Sequence, residues 1–517
     1  MRTAAFRRVV NRLRSTPRRV WWTSFALVTL LSGLWALSQP VFAGPDEPAH
    51  VTRAVALDHG DLTGAERRGP LPRALRPVEE SVRVVRAPAI YRSVIVPCFV
   101  SHRDLLARCL HFAEATKDTD VLTYEARQPP AYYGVIGAVS WVFRTGTGSV
   151  YLMRLLSASL TGALIATAVS ALRWSRMSRL LGAGLLLAIT PTVLFLGGVV
   201  NPGGLEIAAS LALWMCGLAL FSRAQERIDD RLVTAVGIAG CALALSRPFG
   251  PLWLVLIGVV LLSVTSCAGL RDLARSNRAR LWAALMALSS LAQFAWDVIV
   301  RPRDATLTVA TSSGLSAVEV VQESFGATFR WYREMIGSFG WMDVPAPTLT
   351  WVPWTVAIGF LVFVALAWVS RRHAAVLLGL LAGVVVVPIL IASTEARAVD
   401  SAWVGSSTLP LAVGVPIIAA FMLASTQRGR VVATTRFTVT VGFLVGVAQF
   451  LAFAQNLRRY TVGATKDLLY WQHAKWLPPA SPLLLTIVYA MGVIAFTAWV
   501  LGAGQGRERP VGPTASL

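Results

Sequence analysis

Residues 180–200 read LLGAGLLLAITPTVLFLGGVV and residues 377–392 read LLGLLAGVVVVPILIA. A bilayer core takes about 20 consecutive apolar residues per helix. These runs are too long and too uniform for the buried helices of a soluble enzyme. The pattern recurs along all 517 residues, which are 55% hydrophobic and only 15% charged, with mean hydropathy +0.59. Soluble domains carry more charge than this. The chain therefore reads as an all-α polytopic transmembrane helix bundle.

Working outward, comparable runs fall at 21–43, 150–172, 179–200, 204–222, 231–246, 251–267, 281–299, 351–369, 374–393, 408–424, 436–455 and 482–501. The segment 131–143 (AYYGVIGAVSWVF) is shorter than the roughly 17 residues a span needs, and charge bias arbitrates its place. If it does not cross, the arginine-rich links 173–179, 222–231, 271–280, 371–373 and 426–430 all fall on the cytoplasmic side, as the positive-inside rule asks. The expectation is about 12 spans, or 13 if that segment crosses, with residues 129–143 re-entrant or juxtamembrane. The basic start, MRTAAFRRVVNRLRSTPRR, leads into an apolar stretch longer than a signal peptide's, so it reads as a cytoplasmic N-terminus (1–20) before an uncleaved first span. The tail 502–517 is then cytoplasmic too. Residues 44–130, 300–350, 394–407 and 456–481 become extracytoplasmic loops, the first by far the largest.

The formal charge of +21, from 48 basic and 27 acidic residues, is spread over these short links. No soluble basic module gathers it, so nucleic acid is not the expected partner. Of five cysteines, Cys216, Cys241 and Cys267 lie in apolar runs and read as small embedded residues. Cys98 and Cys109 lie in the first large loop, where an oxidising compartment favours a disulfide.

That loop also holds the most reactive-looking residues. Asp46 and Glu47 follow the first span, and His50 returns to their side of a helix that Pro48 suits at its start and Gly60 can end. Such a trio offers a general base or a set of hard ligands for a divalent cation. The bland alternative is helix capping and charge complementing a helix N-terminus. Arg53, one turn further, joins His50 as a substrate-binding candidate. Gln128-Pro129-Pro130-Ala131-Tyr132-Tyr133 returns the chain to the membrane; interfacial belting explains both tyrosines, and a role roofing a lipid or sugar pocket is the sharper reading. Asn201-Pro202-Gly203-Gly204-Leu205-Glu206 and Arg247-Pro248 put single charges at the outer ends of helices. Arg330 and Arg333, beside Phe329, Trp331 and Tyr332, read either as interfacial anchors or as ligands for a lipid phosphate. Arg458, Arg459, Lys466, His473 and Lys475 add positive charge on the side where topology does not require it, which suits an anionic substrate.

PDEPAHVTRA (45–54), the paired loop cysteines, QPPAYYGVIGA (128–138), NPGGLEIAAS (201–210), SRPFGPLW (246–253), GWMDVPAP (340–347) and STLPLAVGVP (407–416) occur in order along most of the chain. Together they resemble a family of bacterial polytopic membrane proteins of unassigned function grouped with the GT-C superfamily of membrane glycosyltransferases. The resemblance implies a GT-C-like fold in the cytoplasmic membrane and a polyprenyl-phosphate-linked sugar donor used on the outer face. It implies Asp46 as the base that activates an acceptor hydroxyl, with Glu47 as its partner or a metal ligand. One departure stands out: the family's Gly-Arg-Tyr element before Leu-Pro is here Gly405-Ser406-Ser407-Thr408-Leu409-Pro410, with Ser406 in the arginine's place. If that arginine contacts the donor phosphate, this chain uses another cation, takes another substrate or is inactive.

The leading expectation is a glycosyltransferase of cell-envelope assembly, with membrane lipid, a polyprenyl-linked sugar and a glycan acceptor as partners. A transporter or flippase of envelope precursors would place ionisable residues at mid-membrane and often shows repeats, neither of which is seen here. A non-catalytic assembly protein is the reading that Ser406 favours.

Overall fold

Prolines and paired apolar faces decide where these runs start, bend and stop. The computed structural model describes residues 16–73, 75, 81–91, 96–102, 105–110, 117–142, 146–174, 179–221, 229–264, 267–300, 317–395, 403–426, 435–463 and 467–503. Helix α1 (Pro17–Leu37) opens with Thr16, whose side chain accepts the Arg19 N–H, and with Pro17 in its first turn. It closes at Leu37, short of the expected 43, because the following Ser38-Gln39-Pro40 cannot continue it. After α2 (Glu47–Asp58), strand β1 (Arg83–Pro88) pairs antiparallel with β2 (Asp118–Thr123), from Arg83↔Thr123 to Pro88↔Asp118. The sequence reading places only the helix after Asp46 in this loop, so the ribbon is an addition to it. Its alternating Val84, Arg86 and Val85, Ala87 place one side of β1 against the loop's own apolar cluster.

Helix α3 (Pro130–Gly137) spans eight residues before a tight turn at Ala138–Trp141. At about 1.5 Å per residue it is far too short to cross a bilayer. The bundle continues with α4 (Gly146–Trp174), α5 (Arg179–Ala188), α6 (Pro191–Gly197), α7 (Pro202–Phe221), α8 (Asp230–Ala244), α9 (Gly250–Ser263), α10 (Cys267–Arg275) and α11 (Asn277–Val300). It ends with α12 (Ala317–Gly337), α13 (Thr348–Trp368), α14 (Arg371–Glu395), α15 (Leu409–Ala412), α16 (Gly414–Ala424), α17 (Thr435–Thr461) and α18 (Pro482–Ala503).

Among the described residues nine helices are long and apolar enough to cross a membrane, ten if the bent pair α5–α6 counts as one span. The two other expected spans, 231–246 and 251–267, are helices of 15 and 14 residues joined through Leu245–Phe249. The arginine-rich links at 222–228 and 427–430 lie outside the described residues.

The 63° bend between α5 and α6 has a cause in the sequence. Pro191 has no N–H for the carbonyl of Leu187, four residues back, and hydrocarbon supplies no water to replace it. Trp354 Nε1 donates to that carbonyl at 3.0 Å, and Gln449 Nε2 donates to the Ile189 carbonyl at 2.8 Å. Gln449 in turn accepts from Tyr489 Oη, which accepts from Trp35 Nε1, so three helices and the α5–α6 link share one polar thread through the core. Around it lie the buried Trp214, Trp253 and Trp331. By contrast, α11 turns Leu285, Leu288, Leu291 and Phe294 outward, as a helix facing lipid does.

The Cys98–Cys109 disulfide, with Cα atoms 6.1 Å apart, closes a small loop beneath which Arg459 of α17 reaches the carbonyls of Phe99, His102 and Leu105, each at 2.9 Å. Constraining a loop of this length stabilises a fold by about 3 kcal/mol. Cys98→Ser is therefore expected to lower the thermal unfolding midpoint and to open residues 98–109 to limited proteolysis. A variant as resistant as wild type would show that Arg459 alone holds the loop.

Candidate functional site

Helix α2 begins one residue after a backbone in an unusual state. Asp46 sits at the N-cap with φ +57°, in the left-handed region that non-glycine residues rarely occupy. An N-cap aspartate ordinarily turns its carboxylate back to the first free N–H groups of the helix. Asp46 makes no such bond. Its Oδ1 accepts the Tyr124 hydroxyl at 2.7 Å instead, and Oδ2 has no hydrogen-bond partner among the described residues. The capping reading of the sequence thus fails for this side chain, which is left available.

Glu47 points the other way. Its Oε1 accepts Arg154 Nε at 2.7 Å and the Val200 N–H at 3.0 Å, while Oε2 accepts Arg154 Nη2 at 2.5 Å and the Gly44 N–H at 3.2 Å. Arg154 also donates to the carbonyls of Ala36, Gln39 and Pro40. Both side chains are fully buried. The two adjacent acids therefore diverge: one is spent in an ion pair, the other faces the site.

Around Asp46 the loop and two helix ends converge. His50 lies beneath it, with Nδ1 2.8 Å from the Tyr133 hydroxyl and Nε2 3.2 Å from Asn201 Nδ2. Asn201 Oδ1 accepts the Gly203 N–H, which fixes Nδ2 as the donor and makes His50 Nε2 the acceptor. Burial, then the charge of Arg247, lowers the His50 pKa to about 3, so the ring is neutral. Burial raises the Asp46 carboxyl above its ordinary value, against the Tyr124 hydrogen bond and the charge of Arg247, which lower it. Glu125, next in chain to Tyr124, is pushed up to about 7, first by burial and then by the Asp46 charge. Arg247 stands between these groups and Glu206, whose Oε2 is 3.7 Å from Nη1. The arrangement offers a carboxylate of raised basicity, a second carboxyl near neutrality and one guanidinium serving all of them.

Other residues singled out from sequence are placed elsewhere. Arg53 is fully buried and donates to the carbonyls of Asp61, Leu62 and Gln128, with its guanidinium 5.9 Å from the Tyr133 ring centroid. Tyr132 bonds Ser157 at 3.0 Å. Arg330 is exposed, 3.8 Å from Glu334, and Arg333 lies over the Trp351 ring at 5.2 Å. Both belong to α12, which meets the 405–408 turn through Glu334 Oε2 and the Gly405 N–H at 2.8 Å. Gly405 packs so closely on the Trp331 carbonyl that no side chain fits there. Trp403, three residues before Ser406, contacts Phe249 with ring centroids 5.7 Å apart, so the segment lacking the expected arginine lies beside the turn that carries Arg247. Lys466 lies outside the described residues.

The trio Asp46, Glu47 and His50 does not form a cation site. Glu47 has both oxygens in the ion pair and His50 has both ring nitrogens bonded. Among the described residues no three His, Cys, Asp or Glu side chains converge as metal ligands.

Sequence reasoning passed over Tyr124, Glu125 and Arg154. Arg154 had a signal, since it is the one charged residue within the apolar run 150–172. Tyr124 and Glu125 had none, because only the fold of the loop brings them to Asp46. Removing one partner of a buried ion pair costs about 3–5 kcal/mol. Glu47→Ala, which strands Arg154, is therefore expected to give little folded, monodisperse protein in detergent. Tyr132→Phe, which removes one hydroxyl bond, is expected to cost about 1 kcal/mol. Equal thermal stability of the two variants would show that the pair does not anchor the loop.

Solved structures that resemble this one include two of ArnT from Cupriavidus metallidurans. The form bound to undecaprenyl phosphate matches with TM-score 0.39 at 16% identity, and the apo form with 0.43 at 15%; each alignment covers 94% of this chain and 77% of that one. No curated protein sequence matches. Residues 29–406 match the family described as Predicted membrane protein (DUF2142), and the chain belongs to that family.

Proposed function

We propose that this chain is a GT-C-type glycosyltransferase of the bacterial cytoplasmic membrane, with the loop face extracytoplasmic. It takes a sugar from a polyprenyl-phosphate-linked donor and passes it to a hydroxyl of a cell-envelope glycan or lipid. The observation that carries this reading is Asp46: a carboxylate at a helix N-cap that does not cap, held in a strained backbone with one oxygen unengaged. The motif resemblance supplies the class of donor and the role of an acid in this loop.

In this reading Asp46 accepts the proton of the acceptor hydroxyl as its oxygen bonds to the anomeric carbon. The bond from that carbon to the phosphate oxygen breaks, and polyprenyl phosphate leaves. Burial makes Asp46 a stronger base than a surface aspartate, which suits the transfer. Arg247 is the cation that offsets the phosphate's charge, and the contact of Phe249 with Trp403 puts it beside the turn where Ser406 replaces the family's arginine. Glu47 has a structural role, holding Asp46 in place through Arg154. The buried ionisable side chains gather at the loop-side ends of helices, which favours surface chemistry over transport through the bundle.

Asp46→Asn is expected to lower transfer by about 10²–10⁴-fold while leaving expression and folding intact, measured as consumption of lipid-linked sugar by membranes containing the full chain. Unchanged transfer in a folded variant removes Asp46 from the reaction. The pH profile gives a second check. The Asp46 pKa is raised, so the base is lost to protonation at a higher pH than an ordinary aspartate, and the acid limb of activity lies above 3.8. The Tyr124 hydrogen bond lowers that pKa, so Tyr124→Phe is expected to raise it further and move the acid limb to higher pH. A shift to lower pH would contradict Asp46 as the titrating base.

A further inference from the structure

Helices α17 and α18 meet through glycine. A Cβ on Gly442 would stand 2.8 Å from Leu501 Cδ1 and 2.9 Å from Thr497 Cγ2, so the helices touch there and no side chain fits between them. A Cβ on Gly446 would meet Val493 at 3.7 Å, an ordinary contact, so one turn further on the helices begin to part. Along this seam runs a groove of about 490 Å³, lined from Val439 to Phe450 on α17 and from Ala490 to Leu501 on α18. Thr497 is its one polar residue, and Ala490 and Ala498 lie about two turns apart along it. Phe443 of α17 and Ile494 of α18 wall it, 69% and 70% exposed. The groove occupies the half of the bundle away from the large loop, since Arg459, near the other end of α17, is the residue that clasps that loop.

We infer that this groove seats one acyl chain of an anionic phospholipid from the leaflet opposite the large loop, with the headgroup phosphate at Arg436. From Val439 to Phe450 the helical rise makes the groove about 16 Å long, half of a ~30 Å hydrocarbon core and so the depth of one leaflet. Its volume over that length leaves a mean cross-section of about 30 Å². Carbon atoms pack about 3.5–4 Å apart, so a single chain fits. A helix, about 10 Å across, does not. Water finds no partners on such walls. A hydrocarbon chain gains no hydrophobic energy by leaving lipid for this groove, so packing and the headgroup must hold it. Arg436 supplies the headgroup contact: it is exposed, lies one turn before Val439, and has no acid in the first turn of its helix. Arg18 and Arg19 open α1 at the same end of the bundle, where Trp499 of α18 bonds Ser24, again with no acid in the first turn. The groove stops about 16 Å short of Thr461, the loop-side end of α17, so its occupant's headgroup lies at Arg436 and not at Asp46. This site does not depend on the transfer reaction.

The test uses the full chain in phosphatidylcholine nanodiscs that carry a trace of phosphatidylglycerol with a diazirine midway along one acyl chain. After photolysis, mass spectrometry locates the labelled residues. Label is expected to concentrate at 439–450 and 490–501, well above its density on the lipid-facing Leu285 and Leu288 of α11. Ala490→Phe and Ala498→Phe each put an aromatic ring into the groove and are expected to cut labelling there about tenfold. Arg436→Gln is expected to reduce the preference for this probe over its phosphatidylcholine counterpart about fivefold. Arg436 is exposed, so that variant carries the test if neither alanine variant folds. Four results overturn the inference. Label as dense on α11 as in the groove means bulk lipid only. Equal labelling in the folded phenylalanine variants, or equal capture of the two phospholipids by the wild-type chain, removes the site or its choice of headgroup. Displacement by farnesyl phosphate but not by unlabelled phosphatidylglycerol assigns the groove to an isoprenoid.

Discussion

Arg154 and Glu47 meet at a depth where neither side chain is exposed. Each ion loses several kcal/mol of hydration there, and only mutual attraction with full hydrogen bonding repays it. The geometry meets that condition. Glu47 takes four donors, and Arg154 adds the carbonyls of Ala36, Gln39 and Pro40. The pair therefore ties the end of α1, the start of α2, the first turns of α4 and the link before α7 to one point. The loop that follows α1 cannot swing about Pro40 while this contact holds.

That anchorage explains how Asp46 keeps a left-handed backbone. A strained φ persists only where its neighbours are over-determined. Glu47 is fixed on one side, and on the other the Gly44 N–H is held by Glu47 itself. With the main chain set, the Asp46 carboxylate is directed to Tyr124 rather than to the helix N–H groups. One buried pair thus stabilises the loop and orients the Asp46 carboxylate, so the two neighbouring acids have unlike surroundings.

The membrane fold was legible because it depends on local properties: run length, proline position and the absence of charge. The end of α1 before Pro40 and the bend at Pro191 follow the same logic. The pair α8–α9 was legible in place, at 231–246 and 251–267, while its helices are shorter than those runs, at 15 and 14 residues. Within the site, sequence singled out Asp46, Glu47, His50, Asn201, Glu206 and Arg247 but not how they are arranged. Asp46 and Glu47 are equivalent as letters, and Glu47 is distinguished only by an arginine 107 positions away. Tyr124 lies 78 positions from Asp46, reached through a β-ribbon that helical patterning did not suggest.

The surplus of cations on the loop face, read from sequence as a sign of an anionic substrate, has a different physical origin in most cases. Arg53 and Arg459 each clasp three backbone carbonyls of the large loop, where an irregular chain beside the membrane has few amides to pair with. Arginine suits this work because its planar fork offers five donors at fixed angles and stays charged when buried. Arg458 bonds Gln455, and His473 lies 3.5 Å from Asp467. Charge count therefore overstates how many cations are directed at substrate. What distinguishes Arg247 is its surroundings: it faces Asp46, Glu125 and Glu206 and remains partly exposed at 31%. A face that spends Arg53 and Arg459 on the loop's backbone and leaves Arg247 among three carboxyls concentrates its charge beside Asp46, the N-cap acid that does not cap.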